Sequence, residues 1–127
     1  MAKILIVEDD IPVRKIITKA VEAIGHVAIQ SPHGKHGWET LGANPDIGLV
    51  ITDMMMPEMD GRQLVQVIRG NSELGKIPVI ILSGVTDAQQ LADLLQLGTT
   101  AFLPKPVKIG ELQETVQQYL AEDEEGG

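Results

Sequence analysis

The chain of 127 residues contains no cysteine, which removes disulfides, thiolate metal sites and cysteine nucleophiles together and accords with a reducing compartment. It also lacks any apolar run near the roughly 18 residues that a membrane span needs. No charged leader with an apolar stretch and small-residue cleavage site opens it. These absences set the expectation of a soluble, cytoplasmic protein with no membrane association. Basic residues are scarce, 10 against 18 acidic ones, for a net charge of −8. Glu122, Asp123, Glu124 and Glu125 hold four of those charges, leaving about −4 for the body. An acidic body repels phosphate backbones, so direct nucleic-acid binding is not expected. Internal repeats, low-complexity tracts and long linkers are absent too, which fits one domain with a single core. We divide the chain into a domain over 1–121 and an acidic tail or linker stub over 122–127, where apolar residues are missing and a solvated end is expected.

What is present is an alternation. Five apolar runs of strand length are each followed by a stretch of helical period, the pattern of an α/β protein whose parallel sheet is covered on both faces. Lys3 to Val7 reads as the first strand. Val13, Ile16, Ile17, Ala20 and Ile24 then recur on one helical face, with Pro12 in the first turn and Gly25 as a stop. Val27 to Ser31 is a weaker strand, and Gly34 to Leu41 a short helix poorly specified by its two glycines. Ile47 to Asp53, unbroken and apolar, fits a central strand buried on both faces. A helix over about Gly61 to Arg69 follows, then a strand at Val79 to Leu82 and a helix from about Asp87 to Leu97, ended by Gly98. A short strand over Ala101 to Leu103 leads to a last helix carrying Ile109, Leu112, Val116, Tyr119 and Leu120 on one face.

The strand ends carry the chemistry. The first run ends at Glu8-Asp9-Asp10, the third at Asp53, the fourth at Ser83, and the fifth leads to Lys105-Pro106. In an open α/β sheet ligands gather at the carboxyl ends of strands, so these side chains should converge on one crevice. Two like charges about 4 Å apart at an effective dielectric near 20 repel by about 4 kcal/mol. Glu8, Asp9 and Asp53 therefore stay ionised together only beside a cation. All-oxygen ligands without histidine or cysteine favour magnesium, with manganese as a substitute, over zinc. Asp10 is better placed to cap the first helix. A metal, the Lys105 ammonium and the Ser83 hydroxyl are the parts that spread charge on a phosphoryl group in transfer. Asp53 is then the candidate nucleophile, since a carboxylate can attack phosphorus to give an aspartyl phosphate. That species is labile and suits a timed signal.

At this point the chain resembles the receiver domain of two-component response regulators, chemotaxis receivers among them. The resemblance spans nearly the whole length. It rests on Ile4-Leu5-Ile6-Val7-Glu8-Asp9-Asp10, on Asp53 with Met56-Pro57-Glu58-Met59-Asp60-Gly61, on Ser83-Gly84, and on Phe102-Leu103-Pro104-Lys105-Pro106. It implies a doubly wound, flavodoxin-like (βα)5 fold of five parallel strands in the order 2-1-3-4-5. By the same resemblance Asp53 is the phosphoacceptor, Asp9 coordinates magnesium directly, Glu8 does so through water, and the Met55 backbone carbonyl is a further ligand. Ser83 and Lys105 would each bind a phosphoryl oxygen, and the bond before Pro106 would be cis. Ser83 and Phe102 would form a switch that remodels the face of the fourth helix, fifth strand and fifth helix. The implied partners are a sensor histidine kinase or histidine phosphotransfer protein, a downstream target or fused output domain, and a second copy of the chain on phosphorylation. Such a domain is not an enzyme beyond its own phosphorylation and autodephosphorylation.

Other readings are weaker. A phosphatase resembling the haloacid dehalogenase class carries a second acid two residues after its nucleophile, where this chain has Met55. The alternative that remains is a receiver-like binding module that works without phosphorylation, although Glu8, Asp9, Asp53, Ser83 and Lys105 are all present. Met55 and Val85, two after Asp53 and Ser83, are apolar where polar side chains in similar domains help place the attacking water, which suggests a long-lived phosphoryl state. Met54-Met55-Met56 reads as flexible packing that covers the site or a partner's surface, His33 and His36 as surface residues, and Trp38 as packed under the second helix.

Overall fold

The computed structural model describes residues 2–56, 58–84 and 88–126, with side chains described as far as residue 120. Five strands, β1 (Lys3–Val7), β2 (Val27–Ser31), β3 (Ile47–Asp53), β4 (Val79–Ser83) and β5 (Ala101–Pro104), alternate with five helices. The helices are α1 (Ile11–Ala23), α2 (Gly34–Ala43), α3 (Gly61–Arg69), α4 (Ala88–Gln96) and α5 (Ile109–Gly126). All pairings are parallel, and the strands lie in the order β2-β1-β3-β4-β5. This is the doubly wound fold that the alternation and the resemblance imply.

Alternation along the strands builds two cores. Ile4, Ile6, Leu49, Ile51, Ile80 and Leu82 face α1 and α5, where Ile17, Val21, Leu112 and Val116 complete the layer. Leu5, Val7, Val50, Val79 and Ile81 face the other way, against Leu41, Leu64, Val65, Ile68 and Leu94 of α2, α3 and α4. Ile47 and Leu49 serve opposite cores although two apart, because the pairing of β1 with β3 shifts register opposite Gly48. Burial on both faces explains why β3 and β4 read as unbroken apolar runs.

Two details depart from the sequence pattern. Ile16 lies outside the α1 core face and is 53% exposed, since the buried stripe runs through Ile17, Ala20 and Val21 with Val13 and Ile24 at its margins. The helical period permits either stripe, and the position of β1 selects one. The glycines of α2 mark close approach: a methyl group on Gly34 would collide with the Met59 carbonyl oxygen, and one on Gly37 would lie 2.9 Å from Val7 Cγ2. The start of α4 near Asp87 falls outside the described residues, and α5 runs through Gly126. Among the described residues no helix is long and apolar enough to cross a membrane.

Candidate functional site

Strand order reverses between β1 and β3, and the carboxyl ends of such neighbours open a crevice. Glu8 directly follows β1, Asp53 ends β3, Ser83 ends β4, and Lys105 follows β5. Glu8 is fully buried, Asp53 is 4% and Ser83 3% exposed, and Asp9 is exposed. One carboxylate oxygen from each of Glu8, Asp9 and Asp53 falls within 4.8 Å of the others. Lys105 Nζ lies 2.7 Å from Asp53 Oδ1 and 3.7 Å from Glu8 Oε1. The strands thus bring the four charged residues to one point, with Ser83 on the next strand end.

Local structure holds these groups. Asp10 caps α1 by accepting from the Val13 N–H at 3.0 Å. Asp60 and Gln63 form a reciprocal capping box on α3. Gly61 packs so closely that a methyl group there would lie 2.7 Å from the Asp53 carbonyl oxygen, which fixes the loop after β3. Within that loop the Met55 N–H donates to Asp53 Oδ1 at 3.4 Å, while the Met55 side chain is 71% exposed. Met54, Met56 and Met59 instead pack, half-buried, on the α2–α3 core. On the far side the Lys105 N–H donates to Ser83 O at 3.0 Å, tying the β5 exit to the β4 end, and the Lys105–Pro106 peptide bond is cis. Phe102 is half-buried and lines a cavity of about 250 Å³ with Ser83, Leu91, Leu103 and Pro104.

The charges are unequally matched. Burial, and next the neighbouring Asp53, push the Glu8 carboxyl up to about 8, against a smaller pull from Lys105. Burial disfavours the Lys105 ammonium, yet its bond to Asp53 and the charges of Asp53, Glu8 and Asp9 outweigh this and raise its pKa. One lysine therefore does not compensate the cluster. Both Glu8 carboxylate oxygens are buried without a hydrogen-bond partner, and such groups are costly unless something binds them. An all-oxygen donor set with orphaned buried oxygens fits a hard divalent cation of the magnesium class.

Other polar residues have structural work. His33 accepts from the His36 N–H and caps α2, and His36 Nδ1 lies 2.8 Å from Ser31 Oγ. Trp38 packs half-buried against the α2–α3 core. Sequence reasoning passed over Arg14 and Gln30: Arg14 Nη1 donates to the Glu8 carbonyl oxygen at 2.9 Å, and its Nε to Gln30 Oε1 at 3.2 Å. An arginine on an amphipathic helix carries no signal of which backbone group it will meet. Val85 lies outside the described residues.

Comparison with known proteins places this geometry in context. The family profile described as the response regulator receiver domain matches residues 4–117. The chain is 32% identical over 119 residues to the chemotaxis protein CheY1 of Helicobacter pylori, covering 93% of this chain and 96% of that protein. Among solved structures, a response regulator receiver domain protein from Clostridium thermocellum superposes with a TM-score of 0.90 at 26% identity, covering 98% of both chains. The signal receiver domain of a histidine kinase from Syntrophus aciditrophicus superposes with a TM-score of 0.88 at 30% identity, over 95% of this chain and 91% of that one.

Proposed function

The chain belongs to the response regulator receiver family of two-component signalling, and from that premise we propose that Asp53 accepts a phosphoryl group from a phosphohistidine of a sensor kinase or phosphotransfer protein. The observation that carries this reading is the Lys105 ammonium 2.7 Å from a nearly buried Asp53 carboxylate, with Glu8 and Asp9 gathered beside it. An Asp53 oxygen attacks phosphorus, the bond from phosphorus to the donor imidazole nitrogen breaks, and the imidazole keeps that electron pair. The product is an acyl phosphate on Asp53.

Each residue has a role in this transfer. Lys105, held charged by its acidic neighbours, neutralises a phosphoryl oxygen and prevents the incoming group from meeting an uncompensated acidic pocket. Glu8, Asp9, Asp53 and the Met55 main-chain carbonyl would hold a divalent cation, magnesium or in its place manganese. When bound, that ion supplies positive charge beside the phosphoryl oxygens. Ser83 donates its hydroxyl to the group after transfer.

The output is a change of surface. Ser83 and Phe102 line the same cavity, so drawing Ser83 toward a phosphoryl group frees space into which the Phe102 ring turns. This remodels the face of α4, β5 and α5, to which a downstream protein, a fused output domain or a second copy of the chain binds. Moving such a switch from 1:99 to 99:1 needs about 5.5 kcal/mol of differential stabilisation. New charge-assisted bonds at Ser83 and Lys105 supply part of it.

The test is intact mass after incubation with magnesium and acetyl phosphate, beside Asp53→Asn and a chelator control. One phosphoryl addition that requires both magnesium and Asp53 supports the reading. No addition, with no magnesium binding and no response to beryllofluoride, replaces it with a binding module that works without phosphorylation.

A further inference from the structure

Both Glu8 carboxylate oxygens are buried without a hydrogen-bond partner, and the head group has only a loose ion pair, with Lys105 Nζ at 3.7 Å. Its position must therefore come from its packing and its main chain. That main chain is fastened on both sides. The Glu8 N–H donates to Ser31 O at 3.0 Å, the last rung between the ends of β1 and β2. The Glu8 carbonyl lies beyond that ladder and accepts from Arg14 Nη1 at 2.9 Å, while Arg14 Nε reaches Gln30 Oε1 at 3.2 Å. Two residues on, Asp10 caps α1. The turn that presents Glu8 and Asp9 is thus pinned by Arg14 at one end and by a helix cap at the other.

We infer that Arg14 is a positioning residue for the cation site, fixing through the Glu8 carbonyl the peptide from which the Glu8 and Asp9 carboxylates project, with Gln30 fixing Arg14 in turn. The inference rests on the reading of Glu8 and Asp9 as cation ligands. Arg14 acts by geometry and not by charge. Among the described residues it has no carboxylate ion-pair partner, although the chain holds 18 acids. A guanidinium suits the task because its planar fork serves two acceptors at once. A lysine at 14 can restore the donor to Glu8 but cannot also hold Gln30.

The experiment is calorimetric titration of the whole chain with magnesium chloride for wild type, Arg14→Met, Arg14→Lys and Gln30→Leu, with thermal midpoints taken in chelator. Groups that orient metal ligands typically contribute tenfold to a hundredfold in affinity. We expect Arg14→Met to bind magnesium about tenfold more weakly at an unchanged midpoint, Arg14→Lys to recover part of the loss, and Gln30→Leu to fall between. Glu8 and Asp9 amide resonances should shift in Arg14→Met before any metal is added. Phosphorylation of Arg14→Met by acetyl phosphate should return at saturating magnesium, since Asp53 and Lys105 are untouched. Equal magnesium affinity in wild type and Arg14→Met overturns the role of Arg14 alone. So does an affinity loss that follows a fallen midpoint without recovery in Arg14→Lys. A wild-type chain that binds no magnesium overturns the cation reading, and this inference with it.

Discussion

Glu8 and Asp53 end neighbouring strands yet differ in what answers their charge: Lys105 bonds to Asp53 and stands off from Glu8. The pKa of Glu8 rises in the fold from an ordinary 4.5 to about 8. Between those values the native state holds a proton that the unfolded chain has released. Stability from this group is therefore fully present below about pH 4.5 and is lost as pH rises through about 8. Without metal, wild type should lose stability relative to Glu8→Gln across that window, by at most roughly 1.4 kcal/mol per pH unit. Urea unfolding of both proteins in chelator tests this, and parallel pH profiles would refute it. Met55 supports a second prediction. Its backbone N–H meets Asp53 while its exposed thioether offers no strong hydrogen bond to a water, so Met55→Glu should shorten the phosphoryl lifetime about tenfold, short of the roughly hundredfold or more of a fully positioned base. An unchanged decay of the phosphorylated mass would count against it. The acids were legible in the sequence because a carboxylate closing a buried apolar run is an anomaly that asks for a partner. Arg14 was not, because a polar residue on a helix surface satisfies the pattern whatever it touches.

At the scale of elements, strands were easier to read than helices. Burial on both faces makes β1, β3 and β4 continuous apolar runs, whereas α1 could present two stripes and only its seat on β1 places Ile16 outside the core. Helix α2 looked poorly specified because glycine disfavours helix by about 1 kcal/mol relative to alanine. Its glycines are not equivalent, and their surroundings give opposite predictions. Gly34 faces the Met59 carbonyl with no room for a methyl group, while Gly42 has nothing within 4 Å of where one would stand. Gly34→Ala should destabilise by about 1–3 kcal/mol through overpacking against the loop that follows Asp53. Gly42→Ala should stabilise by up to about 1 kcal/mol through helix propensity and a less free unfolded chain. Chemical denaturation of the pair separates these effects, and like signs would show that the approach of α2 to that loop is looser than it stands here.

For the whole molecule, the crevice exists only in the folded chain, because Glu8, Asp53, Ser83 and Lys105 lie on four strand ends far apart in sequence and are joined by sheet order alone. A cation that binds this cluster and not the unfolded chain must raise global stability, by about 2.7 kcal/mol when its concentration is a hundred times its dissociation constant. That corresponds to about ten degrees in the melting midpoint of a domain this size. The effect should grow with pH. The native chain without metal keeps a proton on Glu8 up to about 8, and a carboxyl must give up that proton to face a cation, so each binding event below that pH also releases hydrogen ion. Melting curves with and without magnesium at about pH 6 and about pH 8 should show the larger rise at the higher pH. Glu8→Gln, which has no proton to lose, should show a smaller rise that does not depend on pH. A rise of equal size at both pH values in wild type would mean that Glu8 is already ionised in the native crevice, and that Lys105 compensates the cluster more fully than its distances imply.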